Sequence, residues 1–483
     1  MRFPNLLYLT GMLSMIFSVS MLPPIIVGEW YGDGEVLSFA RAFVILFGIG
    51  LLCRSLASGH KPDLSRRDGL LILPLFWLLF SALGALPLML SEQLQMAPVD
   101  AFFESVSGLT TTGASVISRV DHLSHAVNYY RHQLCFIGGM GIVLMGVALV
   151  PVIGIGGMQL YRAETPGPMK EGKLIIRFIE TTKHLWYLYV GLNLACALAF
   201  WGAGMGPFDA VCHAFSTLSL GGFSTHDASI GYYHSGAIEI VAGFFTLVAG
   251  VNFALHFLAW RGRSIRAYVN DPEFILYAWI MGVIIVLTFV ILWSAGTFPF
   301  WKALYHAFFQ GPSIVANNGL VTRGYPTDWP ALAPLLLLSG SFVGGCAGST
   351  GGGIKVIRLL LLYKFSMREA RILIHPSAHL AIKFGDRLVD DRVANAVWGF
   401  YFLYIFSYGV FSLALVATGL DLVTSFGSVG GCINNTGVGL GATATGFGSI
   451  NDTAKWLLAI TMLMGRLEIF PVLLLFLPKF WRR

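Results

Sequence analysis

Four glycines recur at one register along the chain and form its most informative chemical pattern. Each lies thirteen residues after the start of a short apolar segment, and these starts are Asp100, Asp209, His306 and Thr424. The segments that contain the glycines, which we call the glycine loops, are Thr111-Thr112-Gly113-Ala114, Leu220-Gly221-Gly222-Phe223, Asn317-Asn318-Gly319-Leu320 and Asn435-Thr436-Gly437-Val438. The repetition predicts one structural unit that occurs four times around a pseudo-four-fold axis.

The glycine loops suit the binding of a cation because they are predicted to be non-helical backbone within a membrane. Such backbone is tolerated only where it is buried in protein or lines a water-filled path. Four loops around one axis would direct carbonyl oxygens inward and replace the hydration shell of a hard monovalent cation. Glycine permits the positive φ that such loops use. The alternative, that the glycines only allow close helix packing, explains one loop better than four at the same register.

Each glycine loop follows a segment that is predicted to form a short helix. Asp100 and Asp209 are good N-cap residues for two of these helices, and Thr424 is an acceptable one for the fourth. The C-terminal end of each short helix carries partial negative charge, which would favour a cation over an anion at the centre of the loops.

A run of glycines interrupts the apolar stretch at residues 329–363, which is too long to cross a bilayer as one helix. It would extend about 52 Å as a helix, whereas the hydrocarbon core is about 30 Å thick. The break is predicted within residues 344–353, because each glycine costs a helix up to about 1 kcal/mol relative to alanine. We predict a gate in what we call the glycine-rich segment, namely Gly348, Ser349, Thr350, Gly351, Gly352 and Gly353. The alternative is a kink that serves helix packing alone.

Arg466 lies in another apolar stretch, at residues 456–480. A charge near the bilayer centre costs about 2.5 to 3.5 kcal/mol on insertion scales, which makes such a residue a candidate for function. We predict that Arg466 faces the pore, where it limits cation flow or contacts a glycine-bearing loop. The alternative is an ion pair with Glu468, although residues two apart on a helix point to different sides.

The elements that must position these residues are membrane helices. Of 483 residues, 56% are apolar and 12% are charged, and the mean hydropathy is +0.72, which excludes a large soluble domain. The helix candidates are residues 6–28, 36–53, 69–90, 133–155, 185–204, 237–260, 275–293, 329–363, 394–419 and 456–480. When these alternate across a bilayer, most of the 31 lysines and arginines fall on one side, so the positive-inside rule places both termini in the cytoplasm.

Other functional classes receive little support from the sequence. We find no Ser-His-Asp or paired-carboxylate arrangement, so an enzyme is not expected, and neither is a nucleic-acid partner. His122, His125 and His132 are predicted to cluster on an outer loop as solvated side chains rather than as metal ligands. Gly437, Gly439 and Gly441 imitate a dinucleotide fingerprint but follow no predicted strand.

Five long stretches are far more specific than the isolated glycines. They are DAFFESVSGLTTTGAS at residues 100–115, GGMQLYRAETPGP at 156–168, LGGFSTHDASIGY at 220–232, GGCAGSTGGGIKVIR at 344–358 and GRLEIF at 465–470. Through them the chain resembles the Trk/Ktr/HKT superfamily, and most closely the bacterial Trk potassium uptake proteins of TrkH and TrkG type. The resemblance extends over nearly the whole chain.

The resemblance implies an all-α polytopic membrane protein that is similar to a potassium channel. Two N-terminal transmembrane helices would precede four repeats of helix, pore helix with filter loop, and helix (M1-P-M2). We place these units at residues 1–68, 69–182, 183–274, 275–393 and 394–483. The transported ion would be K⁺, with the glycine loops as the filter. The glycine-rich segment would be the gate in a broken third M2 helix, and Arg466 would be the pore arginine that touches it.

The resemblance also implies an assembly and a location. The chain would form a homodimer with one pore per subunit in the inner membrane of a bacterium. A cytoplasmic nucleotide-binding regulatory protein of TrkA type would dock on its inner face and control opening. No organic cofactor is expected to bind this chain itself.

The third glycine loop departs from the usual TrkH-type pattern of Thr-Ala-Gly-Phe. We expect the asparagines here, together with Asn434 and Asn435, to brace the loops by hydrogen bonding or to change the strength of their field. The leading interpretation is a gated, potassium-selective pore. The alternative is a secondary carrier that couples potassium to sodium or protons and uses intramembrane carboxylates, for which Glu104 and Glu239 are the nearest candidates. A receptor or scaffold leaves the four loops unexplained.

Overall fold

The computed structural model of the chain describes residues 3–57, 66–153, 171–377, 380–385, 387–469 and 471–472. The family-specific stretch at 156–168, the predicted end of the last helix beyond residue 472 and both termini lie outside the described residues. The described residues are mostly helical. The one short antiparallel strand pair among them is β1 (Lys383–Phe384) with β2 (Arg387–Leu388).

An N-terminal pair of membrane-length segments precedes the repeats. Helix α1 (Phe3–Ser18) continues through a 3₁₀ turn into α2 (Leu22–Tyr31), and α3 (Val36–Leu56) returns along α1. The helices α1 and α3 approach closely at glycines, because a β-carbon on Gly11 would lie 2.8 Å from the Gly50 carbonyl oxygen. Small residues at such contacts let membrane helices pack without a hydrophobic driving force.

Four units of similar construction follow this pair. Their first helices are α4 (Arg66–Leu90), α7 (Glu171–Gly202), α12 (Pro272–Ser294) and α16 (Asp391–Ala417). Their short helices are α5 (Pro98–Leu109), α8 (Pro207–Ser219), α13 (Phe300–Val315) and α17 (Leu422–Ile433). Their last helices begin as α6 (His125–Ile153), α9 (Gly236–Ala249), α14 (Leu332–Ser341) and α18 (Asp452–Arg466). The predicted fold class is therefore confirmed.

The short helices begin earlier than the sequence suggests, so the N-caps predicted at Asp100, Asp209 and Thr424 are wrong. Proline occupies the start of α5 and α8, where its fixed φ suits the first helical position, and both aspartates fall in the first turn. In α17 the cap is Asp421, whose side chain accepts a hydrogen bond from the Thr424 N–H at 3.0 Å. Acidic residues in the first turn still complement the helix dipole.

Three of the four last helices are interrupted. As predicted, the stretch at 329–363 breaks, because α14 ends at Ser341 and α15 (Val356–Ile374) begins beyond the glycine run. The single helix predicted at 237–260 is wrong, since α9 and α10 (Phe253–Gly262) meet at an angle of 92°. The helix predicted at 456–480 ends early at Arg466, and Glu468 and Ile469 then adopt positive φ.

The exterior of the helix assembly is apolar and its centre contains the short helices. Five described helical segments are long and apolar enough to cross a membrane, and the bent pair α9–α10 adds a sixth. Large apolar side chains such as Trp279, Phe402 and Leu413 are exposed on the outward faces, whereas most residues of α5, α8, α13 and α17 are buried. The single-turn α11 (Arg266–Val269) connects the second and third units. Lipid-facing helices thus surround a buried ring of short ones.

Candidate functional site

The four glycine loops meet at one centre. A β-carbon placed on Gly113 would lie 2.8 Å from the Gly222 Cα, and one placed on Gly222 would lie 3.4 Å from the Gly319 Cα. A β-carbon on Gly319 would contact the Thr436 carbonyl oxygen, and one on Gly437 would lie 2.6 Å from the Gly113 carbonyl carbon. The contacts run from the first loop to the fourth and back to the first, which confirms that the loops converge.

Each glycine is required for two reasons. The first is conformation, because φ is +84° at Gly113, +70° at Gly222, +82° at Gly319 and +72° at Gly437. The second is proximity, because each glycine faces a carbonyl oxygen of the next loop. A β-carbon on Gly113 would lie 2.6 Å from the Gly221 oxygen, and one on Gly222 would lie 2.7 Å from the Asn318 oxygen. Any larger residue would collide with the neighbouring backbone.

A second backbone feature, which the sequence does not predict, repeats four times. The residue two positions before each glycine is left-handed, with φ of +49° at Thr111, +55° at Leu220, +68° at Asn317 and +55° at Asn435. The residue between this left-handed residue and the glycine donates its N–H to the carbonyl five residues earlier. The donor-to-acceptor distance is 2.7 to 2.8 Å in all four loops. This is the Schellman ending of a helix, usually made with glycine. Threonine, leucine and asparagine share no side-chain signal that would have revealed it.

Carbonyl oxygens at the centre remain available to a ligand. Among the described residues, no group donates a hydrogen bond to the carbonyls of Thr112, Asn318 or Thr436, which immediately precede the glycines. The equivalent carbonyl of Gly221 differs, because it accepts the Phe223 N–H at 2.9 Å. The centre can therefore present partially negative oxygens to a cation without breaking protein hydrogen bonds.

The asparagines link the glycine loops by hydrogen bonding, which is one of the two roles expected for them from the sequence. Asn317 Nδ2 donates to the Thr436 hydroxyl at 2.7 Å, which joins the third loop to the fourth. Asn435 Nδ2 donates to the Thr112 hydroxyl at 2.9 Å and so joins the fourth loop to the first. Asn434 Oδ1 accepts the Tyr404 hydroxyl at 2.5 Å. These amide groups hold neighbouring loops at a fixed spacing.

The glycine-rich segment lies against the C-terminal ends of three short helices. The Thr350 hydroxyl donates to the Leu218 carbonyl at 3.0 Å. A β-carbon on Gly351 would lie 2.8 Å from the Ala316 carbonyl oxygen, and one on Gly352 would contact that of Asn434. The segment therefore crosses the axis directly beneath the glycine loops.

Arg466 contacts the glycine-rich segment and makes no ion pair with Glu468. Its Nη1 donates to the Thr350 carbonyl at 2.9 Å, while Nε and Nη2 have no hydrogen-bond partner among the described residues. Glu468 instead pairs with Arg358 at 2.5 Å. Arg466 is the last residue of α18, where the negative end of the helix dipole favours a buried cation.

Two neighbouring side chains near the glycine loops are buried, and one of them was assigned wrongly from sequence. Arg131 lies in α6, and its Nε is 2.8 Å from Glu104 Oε1. His132, expected on a solvated loop, is buried beside it and contacts the Asn128 carbonyl. Glu104 was the sequence signal for the burial of Arg131, because a buried carboxylate requires a cationic partner.

A histidine after the second glycine loop joins two connecting segments. His226 Nδ1 lies 2.6 Å from Asp121 Oδ1 and its Nε2 lies 3.4 Å from Asp209 Oδ2, while its ring stacks on Tyr232 at 3.5 Å. Burial alone would lower the pKa of His226, but the hydrogen bonds to the two aspartates raise it above the ordinary value.

Known proteins resemble the chain over its whole length. A sequence model of the family described as TrkH, cation transport protein, matches residues 36–483. The chain is 46% identical to the Trk system potassium uptake protein TrkH of Halomonas elongata, over 99% of each sequence. It is 45% identical to the Trk system potassium uptake protein TrkG of Escherichia coli K12, over 98% of each. The crystal structure of the potassium transporter TrkH from Vibrio parahaemolyticus matches at 45% identity with a TM-score of 0.92 and full coverage of both chains.

Proposed function

The chain belongs to the TrkH family of cation transport proteins, and from this premise we propose that it carries potassium into the cell through the centre of the glycine loops. The relatives bear the name of potassium uptake proteins, which supports potassium as the transported ion. Membership of this family makes the chain an integral membrane transporter.

One observation carries the proposal, namely the ring of backbone carbonyls that the converging loops hold against one another. Three of the four carbonyls that precede the glycines are free of protein donors among the described residues. Oxygen dipoles at fixed spacing replace the water shell of a weakly hydrated cation. In this proposal all sixteen residues of the glycine loops form the filter.

The glycine-rich segment is the gate in this proposal. It lies across the axis and is anchored by Arg466 through the Thr350 carbonyl. The charge on Arg466 beneath the filter opposes cation entry, and displacement of the segment would open the path. Release of one hydrogen bond to a charged group costs about 1.5 to 3 kcal/mol, which a regulatory partner can supply.

The carrier alternative receives less support because both candidate carboxylates already have partners. Glu104 pairs with Arg131, and Glu239 accepts from the Thr322 hydroxyl at 2.6 Å and lies 2.8 Å from His306 Nδ1. A carboxylate that is held by buried protein groups is poorly placed to load and release a coupling ion.

The proposal includes an assembly and a location. We place the chain in a bacterial inner membrane as a homodimer with both termini in the cytoplasm, where a TrkA-type nucleotide-binding protein regulates the gate. Its units are residues 1–68, 69–182, 183–274, 275–393 and 394–483, of which the last four are the M1-P-M2 repeats.

Flux measurements on the purified protein in liposomes test the proposal. Potassium gradients are combined with imposed sodium or proton gradients, and protein-free liposomes serve as the control. We expect potassium flux that follows only the potassium electrochemical gradient. Uphill potassium movement driven by sodium or protons would establish the carrier instead, and absence of any potassium flux would contradict both.

A further inference from the structure

A repeated contact holds the chain just beyond each filter glycine. The residue nine positions before each glycine is fully buried in its short helix, and we call these the brace residues: Glu104, His213, Gln310 and Ser428. Each hydrogen bonds to the segment that follows the glycine of its own unit. The four residue types differ, so the pattern is invisible in the sequence and depends on position alone.

The first two braces use polar groups of different kinds. Glu104 accepts the Ser115 hydroxyl at 3.0 Å and the Val116 N–H at 3.0 Å. His213 Nδ1 lies 2.9 Å from the Asp209 carbonyl, so that nitrogen carries the proton and Nε2 accepts the Ser224 hydroxyl at 3.0 Å.

The other two braces use an amide group and a hydroxyl group. Gln310 Oε1 accepts the Thr322 N–H at 2.8 Å. The Ser428 and Thr443 hydroxyls lie 2.7 Å apart. In each unit the rigid short helix thus fixes the emerging chain as well as the start of the loop.

The first brace also reaches the second unit. Arg131 binds Glu104 through Nε and donates from Nη2 to the Ser115 hydroxyl at 3.1 Å. Its guanidinium lies 4.3 Å from the ring centroid of Phe223, the residue directly after the second filter glycine. This arginine therefore fixes the positions of two neighbouring loops relative to each other.

We propose that the four brace residues are positioning residues that set the discrimination between potassium and sodium, an inference that rests on the proposed filter. Where the size of the ring sets the preference, a carbonyl ring favours the larger ion because it resists contraction around the smaller one. Each brace restrains the chain on the far side of the glycine, so its removal lets the oxygens approach one another. The permeability for sodium then rises relative to that for potassium.

Serine substitutions at two braces provide the test. Ser224→Ala removes the partner of His213, and Ser428→Ala removes the fourth brace, while Ser224→Thr and Ser428→Thr retain a hydroxyl. Ser81→Ala is the matched control, because within the described part of the chain the buried Ser81 hydroxyl bonds only to the Trp77 carbonyl of its own helix, at 2.7 Å. The potassium-to-sodium permeability ratio is read from reversal potentials of the full-length protein in liposomes, after thermal unfolding has shown that each variant folds.

We expect the ratio to fall about threefold in both brace alanine variants and to stay near the wild-type value in the threonine and Ser81→Ala variants. An unchanged ratio in both brace variants would overturn the inference. An equal fall in Ser81→Ala would also overturn it, since general loosening would then explain the effect. Failure of the proposed function is distinguishable, because the wild-type protein would then carry no potassium or would move it uphill under a sodium or proton gradient.

Discussion

At the scale of a residue, the glycines of the proposed filter leave no room for a single added β-carbon. At Gly222 a side chain would meet both a positive φ and the Asn318 oxygen 2.7 Å away. Left-handed backbone costs a residue with a β-carbon roughly 1 to 2 kcal/mol, and the collision would displace a carbonyl of the third loop.

We therefore expect Gly222→Ala to reduce potassium flux in liposomes by at least about tenfold. Gly409→Ala is the control, because a β-carbon there would meet no atom within 4 Å and its φ is not positive. Wild-type flux from a folded Gly222→Ala protein would show that the loop tolerates a side chain and does not form the filter.

Arg466 is the residue whose removal should open the pore. Arg466→Ala deletes the hydrogen bond to the Thr350 carbonyl and the positive charge beneath the proposed filter. A bond to a charged group is worth about 1.5 to 3 kcal/mol, so we expect basal flux without any partner to rise about tenfold or more. Arg41→Ala is the control, since Arg41 is half exposed and its pair with Glu92 spans 3.7 Å. Equal flux in the two variants would remove Arg466 from the gate.

His226 predicts a pH dependence of stability. Its pKa is raised in the folded protein, so its pairing is complete below the ordinary histidine pKa of about 6.5 and is lost as pH rises through the higher folded value. The groups that face it are Asp121, Asp209, Tyr232 and Tyr233. We expect His226→Gln to cost most stability near pH 6 and progressively less towards pH 9.

The measurement is the unfolding temperature of wild type and variant in detergent across that pH range. The exposed His234 on the same connection makes no ion pair among the described residues and supplies the control His234→Gln. If the difference in unfolding temperature between wild type and His226→Gln grew with pH, it would contradict the pairing of His226 with the two aspartates.

At the scale of elements, the helix breaks separate what sequence predicts from what it does not. The break before α15 was predictable, because that apolar stretch exceeds the membrane thickness and contains its own glycine run. The bend between α9 and α10 was not predictable, because the groups that hydrogen bond to it come from the next unit. The Cys346 N–H donates to the Gly250 carbonyl, and the Phe253 N–H donates to the Gly348 carbonyl. Local patterns predict elements, whereas contacts between units decide how they end.

The hydrogen bonds between these two helix breaks lead to a prediction about the glycine-rich segment. Glu273 Oε1 accepts the Ala347 N–H at 2.6 Å and the Ile357 N–H at 3.1 Å, so the ends of the segment are anchored independently of its middle. Deletion of Gly351, Gly352 and Gly353 should therefore raise basal potassium flux at least as much as Arg466→Ala does, without unfolding the protein. The deletion variant is compared with wild type for flux and for unfolding temperature. Unchanged flux at unchanged stability would show that the segment does not close the pore.

At the scale of the whole molecule, the distribution of charge and the length of the helices together predict the orientation in the membrane. Helix α12 has 23 residues, which span about 34 Å and separate its ends by the full hydrocarbon thickness. Arg261, Arg263 and Arg266 lie before its first residue, whereas Lys302 follows its last. From the positive-inside rule we therefore predict that the arginine side faces the cytoplasm.

Cysteine labelling of intact cells tests this orientation. Arg263 and Lys302 are both exposed, so Arg263→Cys and Lys302→Cys should present reactive thiols on opposite sides of the membrane. We expect a membrane-impermeant maleimide to label Lys302→Cys in intact cells and Arg263→Cys only after permeabilisation. The unsubstituted protein is the control, because five of its six cysteines are buried and Cys53 is partly so. Labelling of Arg263→Cys in intact cells would show that the orientation is the reverse of the predicted one, with the glycine-rich segment towards the outside. A cytoplasmic regulatory protein then could not reach the gate.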